Sequence, residues 1–379
     1  MKIFHLSDLH LGKRVSSQSL IEDQKHVLDQ IIEQVKTEKP EAVMIAGDIY
    51  DRTIPAEDAV ELLDNFLYEL SRLDTKVLMI SGNHDSAERL AFGARIFNKA
   101  GIYISPEFNG KITSVPLSDE HGEVDFYLLP FVFPQTVQRF FPDKKIENCT
   151  EAVRALVSEL ALDTSKRNIM IAHQFVTASG AVETCDSESR KFVVGGTENV
   201  DVSVFEPFDY VALGHLHGCQ SIGKDTVRYC GTPMKYSFSE RAHKKSITVV
   251  ELGENGNINI REIPLVPLRE WRQLEDKFDV LMKSEKCDDY IKVILTDDKE
   301  ITNAFDDLRA VFPNLLQFDY KNRPDNSDIG TAADIEQLQS TSPAELFGQF
   351  FELQNGVKLN EWQRKTVSEI FDEISGGRQ

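Results

Sequence analysis

Aspartate, asparagine and histidine recur in this chain in five short groups. They are Asp8-Leu9-His10, Gly47-Asp48 with Asp51, Gly82-Asn83-His84-Asp85, His173, and Gly214-His215-Leu216-His217. Carboxylate and amide oxygens, mixed with imidazole nitrogens, are the hard and borderline donors that divalent cations take. Five of the nine histidines fall in these groups. Each group follows an apolar, mostly β-type run, at residues 3–6, 42–46, 77–80, 169–172 and 210–213. In open α/β sheets, ligands gather where strands end. Five strands that end in such donors predict a two-metal hydrolase.

Asp8 and His10 stand two apart, so in extended chain both side chains would point to one side and chelate one ion. Asp48 follows a glycine that gives the turn room, which lets its carboxylate approach two ions at once. A bridging carboxylate holds ions about 3.5–4 Å apart, the separation suited to in-line phosphoryl displacement. Asn83 offers a neutral amide oxygen, while His173, His215 and His217 offer nitrogens, the last two able to serve one ion each. Taken singly these groups are weak: Gly-Asp and Gly-Asn-His-Asp suit ordinary turns, and a lone histidine is more often a core residue. Their order, each after a strand, carries the reading.

Such donors need a frame that sets strand ends side by side. Leu20, Val27, Ile31, Ile32 and Val35 at helical spacing predict a helix over 19–36, and Val60, Leu63, Phe66, Leu67 and Leu70 another over 57–73. Short strand-to-helix connections imply βαβ units with parallel pairing. Residues 101–129 break into shorter strands, and a helix over 150–160 precedes the strand that reaches His173. Beyond His217, residues 226–230, 246–252 and 258–263 read as successive antiparallel strands. The class is α/β, with two stacked sheets between helical layers.

Residues 269–320 read as a separate unit: a helix with Leu274, Phe278 and Leu281, a strand over 290–295, a helix over 301–311 and a strand over 315–320. Residues 322–341 have a polar linker composition. Ser342-Pro343-Ala344-Glu345 then reads as a capping box opening a helix with Leu346, Phe347, Phe350, Phe351 and Leu353. Asn360 caps a second helix whose Val367, Ile370, Phe371 and Ile374 form one stripe. So short a pair cannot bury its phenylalanines alone and must dock on the body or on a partner.

The 379 residues, 41% hydrophobic and 27% charged, suit a globular protein with more than one folding unit. No apolar run approaches the roughly 20 residues that cross a bilayer, and no leader is evident, so neither membrane nor secretion is expected. Five scattered cysteines without a CxxC favour reduced thiols in a cytoplasm. The net charge of -20 runs against unaided nucleic-acid binding. Cations on the carboxylates would offset part of it, and a basic partner would supply much of any DNA-binding surface.

The set Asp-x-His, Gly-Asp-x-x-Asp, Gly-Asn-His-Asp, His and Gly-His-x-His resembles the calcineurin-like metallophosphoesterase superfamily. Within it, SDLHLGK, AGDIYDR, GNHDSAERL, YVALGHLH and YCGTPMKYSFSE resemble the SbcD branch, which is related to the meiotic-recombination nucleases. The likeness spans the chain and is most specific over residues 1–245. It implies a four-layer α-β-β-α sandwich over 1–268, a small α/β DNA-binding cap over 269–321, a linker over 322–341 and partner-binding helices over 342–379. It implies two Mn²⁺ ions, with Mg²⁺ a poorer substitute. One would be held by Asp8, His10, Asp48 and His217, the other by Asp48, Asn83, His173 and His215. His84 would sit over the leaving group, with either Asp51 or Asp85 free to orient it.

Lys13, Arg14, Arg52 and Arg89, with the run 241–245, are candidate DNA contacts. Tyr236 and Phe238 are candidates for stacking on a base, against the alternative of core packing. Residues 187–196, with Glu188, Arg190 and Lys191, read as a mobile loop of unread role. The resemblance implies an exonuclease on double-stranded ends and an endonuclease on single-stranded and hairpin DNA, in repair, recombination and replication. An SbcC-type coiled-coil ATPase would gate it, with the chain a homodimer within a heterotetramer on the cytoplasmic nucleoid. Two readings compete: a small-molecule phosphodiesterase with the same metal core, and a non-catalytic scaffold. A docking helix argues against the first, and the intact donor set against the second.

Overall fold

The computed structural model describes residues 1–321 apart from 17, 179–181, 189–198 and 255–256, and residues 343–376 apart from 356. The chain divides into one unit over 1–321 and another over 322–379. In the first, β1 (Lys2–Leu6), α1 (Ile21–Glu38), β2 (Ala42–Ala46), α2 (Glu57–Ser71), β3 (Lys76–Ile80) and β4 (Ile102–Ile104) follow one another. β1 to β4 pair in parallel, in that order.

A second sheet takes β5 (Thr113–Asp119), β6 (Gly122–Leu129), β7 (Arg167–His173), β8 (Tyr210–Gly214), β9 (Gln220–Ile222) and β10 (Lys224–Tyr229), with helix α3 (Cys149–Ser158) between β6 and β7. Its order is β9-β10-β8-β7-β6-β5, with β6, β7, β8 and β10 parallel. The chain then returns to the first sheet, where β11 (Ser246–Leu252) and β12 (Ile258–Pro264) extend the edge beside β1 in antiparallel pairing.

Strands buried on both faces read as continuous apolar runs, and their alternation decides which layer each side chain enters. In β2, Val43 and Ile45 join Val27, Ile31, Leu63 and Phe66 under α1 and α2. Ala42, Met44 and Ala46 face the other way, against Phe126, Ile169, Ile171 and Ala212 of the second sheet. Met170 and Ala172 of β7 then pack toward Val153 and Leu156 of α3. The result is the expected sequence of helices, sheet, sheet and helices.

Four local expectations change. Val60 is 45% exposed, because the buried stripe of α2 runs through Ala59, Leu63, Phe66, Leu67 and Leu70 and leaves its neighbour a third of a turn away. Residues 224–229 pair with β8 and β9, so they are not neighbours of 246–252, which belong to the other sheet. Leu274 lies in a strand, not a helix: β13 (Trp271–Asp276) pairs in parallel along its whole length with β14 (Tyr290–Leu295). Strand pairing overrides the local helical pattern there. In the second unit, Ile370 is 49% exposed and so leaves the expected stripe.

β13, β14 and β15 (Leu315–Tyr320) form a separate three-stranded parallel sheet, with helix α4 (Ala304–Arg309) before β15. Ile291, Val293, Leu295, Leu308 and Phe312 make its own core. Trp271 and Tyr290, at the starts of β13 and β14, belong instead to the main core under α1 and α2.

The second unit is described over α5 (Pro343–Asn355) and α6 (Glu361–Gly376). Asn360 Oδ1 accepts from Gln363 N at 2.9 Å, and Gln363 Oε1 accepts from Asn360 N at 3.0 Å, a reciprocal cap. Phe347 and Phe371 face each other with centroids 6.4 Å apart. Ser342, the linker, Arg190, Lys191 and the side chains of Leu353 and Ile374 lie outside the described residues.

Candidate metal centre

Because β1, β2 and β3 are parallel, as are β7 and β8, all five donor groups emerge along one edge of the stacked sheets. The loops after β1 and β2 are joined by Asp8 N to Gly47 O at 3.0 Å, His10 N to Asp48 O at 2.9 Å and Leu11 N to Ile49 O at 2.9 Å. Asp8 and His10 do not share a side by strand alternation. Both adopt left-handed backbone, φ 53° and 44°, as do Asp48 at 49° and, further out, His215 at 106°. The turn begins at once, and the side chains are aimed by it.

The close approach of loops requires glycine, most tightly at two places. A Cβ on Gly82 would stand 2.1 Å from Asp48 Oδ1, and one on Gly214 would stand 1.9 Å from Ala46 O. Both would drive the loops apart.

Asp48 Oδ1 accepts from His84 N at 2.9 Å, which leaves Oδ2 facing inward. Oδ2 lies 3.4 Å from His173 Nε2, 3.7 Å from His10 Nε2 and 3.9 Å from His84 Nε2. On one side, Asp8, His10 and His217 gather their donor atoms, with the two imidazole Nε2 atoms 3.2 Å apart. On the other, Asn83 Oδ1 stands 3.0 Å from both His173 Nε2 and His215 Nδ1. Asp8, Asp48 and His173 also group together. Two donor sets therefore meet at Asp48.

Several rings are held from behind. His173 Nδ1 donates to Ala46 O at 2.8 Å, so its Nε2 is the nitrogen turned toward Asn83 and Asp48. His217 Nδ1 donates to Ser187 Oγ at 2.8 Å, whose hydroxyl in turn donates to Glu240 Oε1 at 2.5 Å. Glu240 is fully buried beside Lys245 Nζ at 2.6 Å. Glu188 Oε1 accepts from His217 N at 2.7 Å. Backing of this kind fixes the ring and its tautomer. Nothing in the spacing of the sequence had singled out Ser187, Glu240 or Lys245 for this part.

Burial and surrounding charge set the protonation. Burial lowers His10 well below its ordinary value and takes His215 to about 3, so both are neutral, the form that binds cations. Burial raises Asp8. Burial would raise Asp48 too, but His173, His10 and His84 around it hold it well below the usual carboxylate range. Burial alone would lower His173, yet the Asp48 carboxylate lifts it to about 9.

The donor set fits divalent cations. His173 Nε2, Asn83 Oδ1 and Asp48 Oδ2 converge with only one proton to separate them, and the buried His10 Nε2 and His217 Nε2 face each other at 3.2 Å. Such convergence is costly unless positive charge sits at its centre.

His84 is the rim member of the group, its side chain 27% exposed. Neither candidate carboxylate orients it. Its Nδ1 donates at 2.9 Å to the main-chain carbonyl of Asp51. The Asp51 carboxylate instead pairs with Lys13 Nζ at 2.7 Å. The Asp85 carboxylate accepts from Gly82 N, Tyr50 N and Ile49 N at 2.8, 2.9 and 3.0 Å. Burial, then Asp48, raise it to about 6.

Of the basic candidates, Arg14, Arg52 and Arg89 are exposed, whereas Lys13 is drawn in by Asp51 and lies over the Tyr236 ring. Lys245 is buried in the Glu240 network. Tyr236 and Phe238 are 2% and 5% exposed, and Tyr236 Oη donates to Leu9 O at 2.5 Å, so both are core residues and not a base-stacking platform.

A family model described as calcineurin-like phosphoesterase matches residues 1–219, and one described as type 5 capsule protein repressor C-terminal domain matches residues 259–355. A protein of Staphylococcus saprophyticus, named as the SbcD component of the nuclease SbcCD, is 32% identical, over 98% of this chain and 97% of its own. Its namesake in Staphylococcus epidermidis is 36% identical, over 83% and 84% respectively. Among solved structures, a dimetal phosphatase from Danio rerio aligns over 70% of this chain and 96% of its own, with 13% identity and a TM-score of 0.44. The chain belongs to the calcineurin-like phosphoesterase family, in the branch of the SbcD nucleases.

Proposed function

We propose that this chain is the nuclease component of an SbcCD-type complex, a hydrolase that cuts phosphodiester bonds of DNA with two Mn²⁺ ions. The observation that supports it best is Asp48 Oδ2, within 3.4 to 3.9 Å of three imidazoles and common to both donor sets. Asp8, His10, Asp48 and His217 would hold one ion, and Asp48, Asn83, His173 and His215 the other. Imidazole-rich sites favour Mn²⁺ over Mg²⁺, which prefers oxygen and its own waters. When bound, two such cations lower the pKa of a water and offset the charge of the phosphoryl oxygens.

The side chains supply the remainder. His84 is held through Nδ1, which leaves its Nε2 turned to the rim of the centre beside Asp48. There it is placed to reach the departing oxygen. Both donor sets consist of carboxylate, amide and imidazole groups, so water and not a side chain is the nucleophile. Exposed Arg14, Arg52 and Arg89 are the candidate strand contacts near the centre.

In this reading the chain acts as an exonuclease on double-stranded ends and an endonuclease on single-stranded and hairpin DNA, in repair, recombination and replication. It works as a homodimer within a heterotetramer, where an SbcC-type ATPase gates cleavage and offsets the charge of -20. Among the described residues no helix is long and apolar enough to cross a membrane. Action on the cytoplasmic nucleoid belongs to the same reading. Purified protein should be tested on a hairpin oligonucleotide and on bis-p-nitrophenyl phosphate, with Mn²⁺ or Mg²⁺. Cleavage of the hairpin, faster with Mn²⁺, is expected. Hydrolysis of the small ester alone would favour the small-molecule reading, and equal turnover with Mg²⁺ would overturn the choice of metal.

A further inference from the structure

Three consecutive residues in the first turn of α1 make contacts in two directions. Glu22 and Asp23 reach the residues around the 271–320 sheet: Arg269 Nη2 donates to Glu22 Oε2 at 2.9 Å, and Arg269 Nη1 to Asp23 Oδ2 at 2.5 Å. Tyr290 Oη, on β14, donates to the same Asp23 oxygen at 2.8 Å. Gln24 points to the metal centre. Its Nε2 donates to His10 O at 2.7 Å and Leu9 O at 3.2 Å, and its Oε1 accepts from Gly12 N at 2.9 Å. Both Asp23 and Gln24 are 2% exposed.

Adjacent helical residues point about 100° apart, so one backbone turn carries both sets of bonds. The loop from Leu9 to Gly12 is the one whose left-handed backbone aims His10. Among the described bonds it is held there by its own turn, Lys13 N to His10 O at 3.0 Å, and by the β2 loop, the Tyr236 hydroxyl and this glutamine. A buried amide with its donors and acceptor all engaged acts as a template for the turn it touches.

We propose that Gln24 is a positioning residue for His10, and that Asp23 beside it makes this positioning depend on the docking of the 271–320 sheet through Tyr290 and Arg269. A displacement of that sheet would tilt the first turn of α1 and loosen the donor set that contains His10. The donor set of Asn83, His173 and His215 has no bond to this turn among those described and would be spared. The inference rests on reading His10 as a metal ligand.

The test is Mn²⁺ binding by the full chain, followed through the electron paramagnetic resonance signal of free Mn²⁺ during titration, with Gln24→Met and Tyr290→Phe. Wild type should bind two ions. Gln24→Met should weaken one of them by about 10- to 100-fold and leave the other, the usual scale for loss of support behind a ligand. Tyr290→Phe, which removes one hydroxyl and keeps the ring, should weaken the same ion in the same direction. Melting of the metal-free proteins checks the fold, and should Gln24→Met not fold, Tyr290→Phe carries the test. Wild-type binding in Tyr290→Phe, or equal weakening of both ions, would overturn the coupling. A wild-type chain that binds no pair would instead remove the metal reading and the coupling with it.

Discussion

His84 and Asp51 are joined through the wrong oxygen for a charge relay: the imidazole Nδ1 donates to the Asp51 carbonyl at 2.9 Å, while the Asp51 carboxylate turns to Lys13. The main chain therefore sets the ring, and the side chain at position 51 is not needed to aim it.

His84→Gln should keep both ions and lose about 10²-fold or more in nuclease rate. Asp51→Asn, which keeps the carbonyl, should cost at least tenfold less than that. Asp48→Ala should lose both ions. Metal content by plasma mass spectrometry beside the rates decides: an apo His84→Gln protein would make His84 a ligand.

Asp85 is a staple for the loops after β2 and β3, through three main-chain amides. Asp85→Ala leaves those buried donors unpaired, which should cost about 2–4 kcal/mol of stability. Denaturant melts measure it. A loss within 0.5 kcal/mol, roughly the scale of an unimportant surface change, would remove the staple role.

The proton on His173 competes with the cation. Asp48 raises this imidazole to about 9, so at pH 7.5 metal binding must expel a proton, and affinity falls as pH drops below that value. Titration calorimetry in two buffers of different ionisation enthalpy should show about one proton released per chain. No release at pH 7.5 would show that His173 is already neutral.

Phe347 and Phe350, 39% and 57% exposed on α5, are the candidate anchors for the ATPase partner proposed above. Their joint change to alanine should weaken that binding by about 2–4 kcal/mol while the nuclease still cuts a single-stranded oligonucleotide. Undiminished co-purification of the double variant would assign the contact elsewhere.

The order of the strands and the groups at their ends were legible because each β-run is apolar along its length and each donor group follows directly. What was not legible has two causes. Strand periodicity placed Asp8 and His10 on one side, but both lie in left-handed turns, where the rule of alternation no longer applies. Buried polar partners obey no spacing: Glu240 lies 23 residues beyond the His217 it backs, and Gln24 looks like any polar residue on an amphipathic helix. Leu274 was misread because a strand's fate depends on its neighbours as well as on its own pattern.

The left-handed backbone at Asp8, His10, Asp48 and His215 has a bearing on how this centre can vary. Apart from glycine, the side chains that tolerate such turns best are asparagine, aspartate and histidine, which are also the cation donors used here. Backbone comfort and ligand chemistry thus select from one short menu. Exchanges inside that menu, such as Asp8→Asn, keep the turn while changing charge, and they separate electrostatics from geometry. A branched residue such as valine would fail on both grounds together, which leaves these loops few neutral paths along which to drift.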